Sequence, residues 1–363
     1  MATEIGIDGT GFLINGRPTY EGVSYGGRPV EGLLFNSRMV QAVFDDDNPE
    51  TAGRWAYPDT GVWDPERNTD EFCAALPAYR RHGLLAVTVG LQGGGSIYEP
   101  EVYDHYVNNA FEPDGSAKPA YFERLRRVLA AADEAGMAVI VNYFYGKVLR
   151  QLEGDDAVRR AVGAATEWLL ESDYRNILVD VKNEFRAGDG LVESENIHRL
   201  IEQVQQTTLG GRRLLASCSI HPENFLPPGR WQEVQDFYLP HGNSVWADQL
   251  RLELRRIKAS DAYRANPRPL LMNEDSVYLE SMDAAFEEFA SWGYYSQGYG
   301  CGGWKHGRFD WPARGREGKF EDLSGFQTVP VNWGINTPRK RAFFDKVREI
   351  TTGGRQGGTG HGG

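Results

Sequence analysis

From Gly83 onward the chain alternates short apolar runs with longer segments of helical periodicity, and this repeat restricts it to a parallel sheet covered by helices. The runs are Leu84 to Leu91, Met137 to Tyr143, Ile177 to Val181, Leu214 to Ser219, Asp236 to Leu239, Pro269 to Met272 and Tyr295 to Tyr299. An earlier strand over Arg38 to Phe44 brings the count to eight. These runs are nearly continuous in apolar residues, as strands buried on both faces must be. Helices are expected over Asp70 to His82, Pro119 to Ala135, Asp155 to Glu171, Ser194 to Thr208, Ala247 to Ser260, Leu279 to Trp292 and Pro338 to Ile350. Asp70 is placed to cap the first, Gly83 and Gly136 to close the first two, and Pro338 to open the last. Eight units joined by right-handed crossovers favour a closed barrel over an open sheet. The expected fold class is therefore α/β, a (β/α)8 TIM barrel.

Ahead of the repeat, Gly6 to Pro18 reads as a β-hairpin with Asn15-Gly16 as its turn, positioned to plug the barrel floor. Long loops, Asp45 to Asn68 and Gly300 to Thr337, follow strands one and eight and are rich in Trp, Gly and charged residues. Residues 1–352 are expected to form one (β/α)8 domain, with 353–363 a disordered Gly-rich tail.

Composition narrows the partners. With 40% hydrophobic and 25% charged residues the chain can bury a large core, and its net charge of -12 repels phosphate backbones and anionic headgroups. Neither nucleic acid nor membrane is expected as a partner. No run of about 18 apolar residues occurs, and Met1-Ala-Thr-Glu-Ile has no basic segment leading into an apolar one. The expected location is cytoplasmic, or secreted if a leader has been removed. Cys73, Cys218 and Cys301 are odd in number and widely spaced, which implies buried free thiols rather than a disulfide framework or a zinc site. Asp45-Asp46-Asp47-Asn48 clusters hard oxygen ligands of the kind calcium prefers, but a solvated acidic loop is the favoured reading. No metal or cofactor is called for, and the letters do not fix the oligomeric state.

Active sites of such barrels lie at the C-terminal strand ends, so the polar residues that directly follow each run are the ones to weigh. Strand four is followed by Asn183-Glu184 and strand seven by Asn273-Glu274-Asp275. Two carboxyl groups facing each other across a barrel mouth suit glycoside chemistry with retention, which needs them about 5 to 5.5 Å apart. Glu184 is the expected general acid/base, protonated at neutral pH because burial and the neighbouring anion raise its pKa. Glu274 is the expected ionised nucleophile.

These residues resemble the clan A glycoside hydrolases, (β/α)8 retaining enzymes with Asn-Glu ending strand four and a nucleophilic Glu ending strand seven. The resemblance covers most of the chain at the level of strand order. It implies that Asn183 binds the substrate hydroxyl beside the anomeric carbon, that Trp304 is the sugar platform, and that substrates are β-linked pyranosides. Two departures stand out: Phe185 follows Asn-Glu where many members have Pro, and Tyr238-Leu-Pro-His-Gly-Asn lacks a clear counterpart of the clan's tyrosine near strand six. His241 is the candidate there.

Arg38 is a candidate partner of the nucleophile, against the alternative of a structural ion pair. Gln92, Asn142 and Tyr145, after strands two and three, are candidate pocket residues, and His221 ranks below His241. Nine Trp residues offer flat faces for sugar rings, although packing uses them too, and Trp231, Trp246, Trp311 and Trp333 are further stacking candidates. Two other functions fit parts of this pattern. A magnesium-dependent enolase-type barrel needs acidic ligands on consecutive strands, and strand five ends Ser217-Cys-Ser-Ile-His without one. A carbohydrate-binding barrel without catalysis is expected where one carboxylate has been lost, and both are present here.

Overall fold

A computed structural model of the chain describes residues 2–93, 105–146, 148–185, 196–222, 225–243, 245–296, 320–323, 325–327 and 329–354. Strands β1 (Asn36–Arg38), β2 (Ala86–Gly90), β3 (Ala138–Phe144), β4 (Ile177–Lys182) and β5 (Leu215–Ser217, resumed at Ser219–Ile220) lie side by side in parallel. β6 (Leu239–Pro240) pairs with Ser219–Ile220, and Tyr238 pairs with Leu270 of β7 (residues 270–271). Leu271 pairs with Ser291, and β8 (Gly293–Tyr294) returns to β1 at Asn36 and Ser37. Every neighbouring pair is parallel and the circuit closes after eight strands, which is the (β/α)8 barrel.

The boundaries differ from expectation for local reasons. The strand expected over Arg38 to Phe44 is the end of β1 followed by a 3-10 turn, Val40–Val43. There the carbonyls of Gln41 and Ala42 accept hydrogen bonds from Asn68 Nδ2 and Thr69 Oγ1, both at 2.7 Å, instead of ladder partners. β8 starts two residues before the expected Tyr295. A side chain at Gly293 would lie 2.5 Å from both Asn36 Oδ1 and the Met272 carbonyl, so only glycine lets β8 close the ring.

Helix α1 (Pro65–Arg81) begins five residues ahead of Asp70, because Asp64 caps it, accepting from Arg67 N at 3.0 Å, and Pro65 occupies its first position. Asp70 instead pairs with Arg127 on the surface. α2 (Pro119–Ala135) and α3 (Asp155–Glu171) match their expected spans, α2 ending at left-handed Gly136. α4 (Ile197–Gln206), α6 (Ala247–Ala259) and α8 (Pro338–Thr351) fall within a few residues of theirs. α7 (Leu279–Glu287) stops early because Ser291 is already hydrogen-bonded to Leu270. Between β5 and β6 the only helix among the described residues is one turn, α5 (Trp231–Val234), too short for a periodic signal.

The N-terminal segment is a three-stranded meander of Ile5–Asp8, Gly11–Ile14 and Arg17–Pro18. Asn15-Gly16 forms its second turn, both residues at positive φ. Fully buried Phe12 packs with Leu34, Leu85, Leu178, Phe237 and Leu271 at the N-terminal strand ends, so the meander does close the floor. Among the described residues no helix is long and apolar enough to cross a membrane.

Candidate active site

The C-terminal ends of β1, β5 and β6 bring Arg38, His221, His241 and Asn243 together around two carboxylates, Glu184 after β4 and Glu274 after β7. At the end of β4 the backbone turns sharply: Glu184 has a φ of 45°, left-handed and strained for a side chain of this kind. The turn is held against β5, since Glu184 N donates to Ser219 Oγ at 3.0 Å and Phe185 N to the Ser219 carbonyl at 3.1 Å. Strand six is pinned from both sides, His241 N to the Ile220 carbonyl and Gly242 N to the Glu274 carbonyl. Only glycine fits at 242, because an added Cβ would lie 2.2 Å from Asp275 Oδ2.

Arg38, buried at the end of β1, donates Nη2 to Asn183 Oδ1 at 2.8 Å and holds Nε 2.8 Å from Glu274 Oε2. Asn243 donates Nδ2 to Glu274 Oε1 at 2.7 Å and reaches Glu184 Oε1 at 3.4 Å. His241 is fully buried, with Nδ1 3.2 Å from Glu184 Oε1 and 3.6 Å from Glu274 Oε2. Its Nε2 contacts Asn273 Oδ1 at 2.8 Å, and Asn273 Nδ2 donates on to Asp180 Oδ2 at 3.4 Å. That chain fixes Nε2 as the protonated nitrogen. The Nδ1 to Glu184 contact then holds one proton, on the imidazole or on the carboxyl. His221 Nε2 lies 3.9 Å from the other Glu184 oxygen.

The two carboxylates approach within 4.8 Å of each other, oxygen to oxygen. Two full charges at that distance repel by about 3 kcal/mol at an effective dielectric of about 20, so the site must supply positive charge and donors. Arg38 stays charged: its own burial works against it, but the Glu274 carboxylate more than restores it. Glu184 is the more open of the pair, its side chain 18% exposed against 5% for Glu274.

The resting protonation corrects the sequence-based expectation of a neutral Glu184. Burial raises Glu184, but the hydrogen bond and charge of His241, with His221 and Arg38, outweigh it and hold the carboxyl at about 2. His241 is raised: burial lowers it, and the charges of Glu274 and Glu184 overcome that. Glu274 is raised, by burial first and by the Glu184 anion, against the opposing pull of Arg38, His241 and Asn243. The proton between Glu184 and His241 therefore rests on the imidazole.

Of the other candidates, Gln92 accepts from Tyr145 N at 3.0 Å and donates to Asn109, bracing the loops after β2 and β3. Asn142 is buried in β3 and donates to the Asp180 carbonyl at 3.3 Å. Tyr145, after β3, lies close enough to Arg38 to interact with it electrostatically. Trp304, Trp311 and Cys301 lie outside the described residues. Trp231 and Trp333 are buried in the core, Trp333 stacked on Phe326, and among the described candidates only Trp246 presents an exposed face. The acidic loop is not simply solvated: buried Asp46 accepts from Trp55 Nε1, Thr51 and Val107 N, and Asp45 and Asp47 pair with Arg124 and Lys118. Glu184, His241 and Glu274 are the one set among the described residues whose ligand atoms converge as a metal would require. Arg38 already supplies a buried cation there.

Asn243, Asn273 and Asp180 escaped the sequence reading. Asp180 carried a signal, an acid inside the apolar run Ile177-Leu-Val-Asp-Val. The asparagines carried none beyond following a strand.

The solved structures that share this architecture include a GH5-4 broad-specificity endoglucanase from Bacteroides salanitronis. It matches at a TM-score of 0.52 and 14% identity over 92% of this chain and 96% of that one. An endo-1,4-β-D-mannanase from Thermotoga petrophila matches at 0.50 and 12%, over 88% and 99% of the two chains. The likeness shows the fold. A third structure, titled only as a glycoside hydrolase, matches at 0.54 and 11% over 97% of this chain and 74% of its own. The chain spans only about half the length of two further matches from Bacteroides vulgatus, 48% and 53%. No family model matches the chain, and no curated protein matches it.

Proposed function

We propose that this barrel is a retaining glycoside hydrolase acting on β-linked pyranosides, with Glu274 as nucleophile and Glu184 as acid/base. The observation that carries it is the pair of strand-end carboxylates within 4.8 Å of each other. That separation suits direct attack and leaves no room for the water an inverting enzyme places between carboxylates. Arg38 and Asn243 orient Glu274 with one oxygen each. Glu184, the more open of the two, faces the leaving group.

In the first step a Glu274 oxygen bonds to the anomeric carbon while the glycosidic C–O bond breaks, its electron pair leaving on the aglycone oxygen. That oxygen takes the proton of Glu184. The proton comes to Glu184 from His241 Nδ1, which loses its hold when the Glu274 charge is consumed in the ester. Water then attacks the anomeric carbon, gives its proton to Glu184, and the ester bond breaks to restore the Glu274 carboxylate. The folds shared with an endoglucanase and a mannanase support a β-linked glucan or mannan as substrate.

A screen of aryl β-glycosides, β-glucans and β-mannans at pH 5 to 8, parent beside Glu274→Gln, tests this. The parent should release sugar with the anomer retained in the first product by proton NMR, and the variant should lose activity by on the order of 10⁴-fold or more. An inverted first product, or an active variant, removes Glu274 as nucleophile.

A further inference from the structure

The side chain nearest to both carboxylates, apart from His241, is one that does not titrate. Asn243 is buried, and its Nδ2 stands 2.7 Å from Glu274 Oε1 and 3.4 Å from Glu184 Oε1. A carboxamide nitrogen has two hydrogens and cannot take up a proton, so it can donate to both carboxylates at every stage of a reaction. Its position does not depend on the carboxylates. The backbone that carries it is pinned by Gly242 N on the Glu274 carbonyl and by the contact of Gly242 with Asp275. The Asn243 Oδ1 is buried without a hydrogen-bond partner among the described residues.

We propose that Asn243 is a positioning residue that bridges the two carboxylates, one amide hydrogen to each, and holds them as a pair at reacting distance. The proposal rests on the glycosidase reading for its consequence but not for its test. Other charged and titratable groups face the same pair: Arg38 from β1, Asp180 from β4, His221 beyond β5, His241 at β6 and Tyr295 after β8. The bridge differs from His241 Nδ1, which also lies near both carboxylates but has one proton to share, in being a neutral amide with one hydrogen for each.

The test uses full-length protein with ¹³C-labelled glutamate side chains, the two site carboxyls being assigned with Glu184→Gln and Glu274→Gln, and titrations followed by NMR. In Asn243→Ala both carboxyls should titrate at higher pH than in the parent. The pH profile of kcat should move the same way, and kcat should fall by about 10- to 100-fold, the loss expected for a hydrogen bond to a charged group. Asn243→Asp, nearly isosteric, guards against misfolding: its activity should survive only on the acid side and vanish as the third carboxyl ionises. If Asn243→Ala shifts only one carboxyl or neither, or if Asn243→Asp keeps the parent pH profile, the bridge is wrong. If the parent hydrolyses no glycoside while both carboxyls still shift together, the functional reading fails and the bridge stands.

Discussion

The two ends of this barrel are built from the same strands and filled with opposite chemistry. At the floor, Phe12 of the meander seats among Leu34, Leu85, Ala138, Leu178, Phe237 and Leu271, and the buried volume is apolar. Further along the same strands, the mouth holds Arg38, Asp180, Glu184, His241 and Glu274. The floor has contacts that stabilise the fold without conflict. The mouth confines two carboxylates within 4.8 Å and carries a strained Glu184 backbone. Stability and chemistry are thus divided along the barrel axis, and variants at the two ends should fail in different ways.

The largest effect on the mouth side, after loss of the nucleophile, is expected for Glu184→Ala. With substrates whose leaving groups need a proton, kcat should drop by about 10² to 10⁴-fold, whereas activated aryl glycosides, which need none, should be nearly spared in the first step. Because Glu184 also serves the second step, the ratio is read from kcat/KM on the two substrate classes, which reports the first. Equal losses on both would mean that Glu184 does not deliver the proton, and the unfolding midpoint should barely move.

Phe12→Ala should show the opposite pattern. Removing a fully buried ring that closes the floor should cost about 3 to 5 kcal/mol of stability by urea unfolding, with the rate per folded molecule unchanged. A Phe12→Ala protein that stays stable but turns over slowly would erase the division between the ends.

The same contrast explains what was legible in the sequence. The strands could be counted because both of their faces are buried, so Ile177-Leu-Val-Asp-Val and Pro269-Leu-Leu-Met announce themselves as apolar runs. α2 and α3 were readable to the residue from amphipathic period and end signals such as Gly136. Asn183, Glu184, His241 and Glu274 could be named because each follows a strand, and Arg38, expected near the start of strand one, because it could pair with the nucleophile; it closes β1 instead, and the structure brings these five together. α5 was missed because four residues have no period. α1 starts five residues earlier than expected because Asp64 and Pro65, not Asp70, cap and open it. The protonation of the carboxylates was misjudged because it depends on a distance, 3.2 Å from His241 to Glu184, that spacing along the chain does not encode. Asn243 was overlooked because an amide in a loop has no sequence signature.

The smallest and most diagnostic effect is expected for His241→Gln, which keeps a polar side chain against Asn273 and removes the charge. The imidazolium beside Glu184 is what holds that carboxyl at about 2 against its burial. Without it the acid limb of the pH profile should move up by at least about one pH unit, equivalent to about 1.4 kcal/mol. Stability carries the same information with a defined sign. Glu184 titrates below its ordinary value of 4.5 when folded, so its contribution is complete above that value and is lost as pH falls toward 2. His241 is raised above its ordinary 6.5, so its contribution is complete below that value and is lost as pH rises through the raised one. Melting temperatures of parent and variant from pH 2.5 to 9 should therefore converge at both extremes and differ most between about pH 4.5 and 6.5, where both contributions are present. A constant offset across the whole range would make His241 a packing residue and return the shared proton to Glu184.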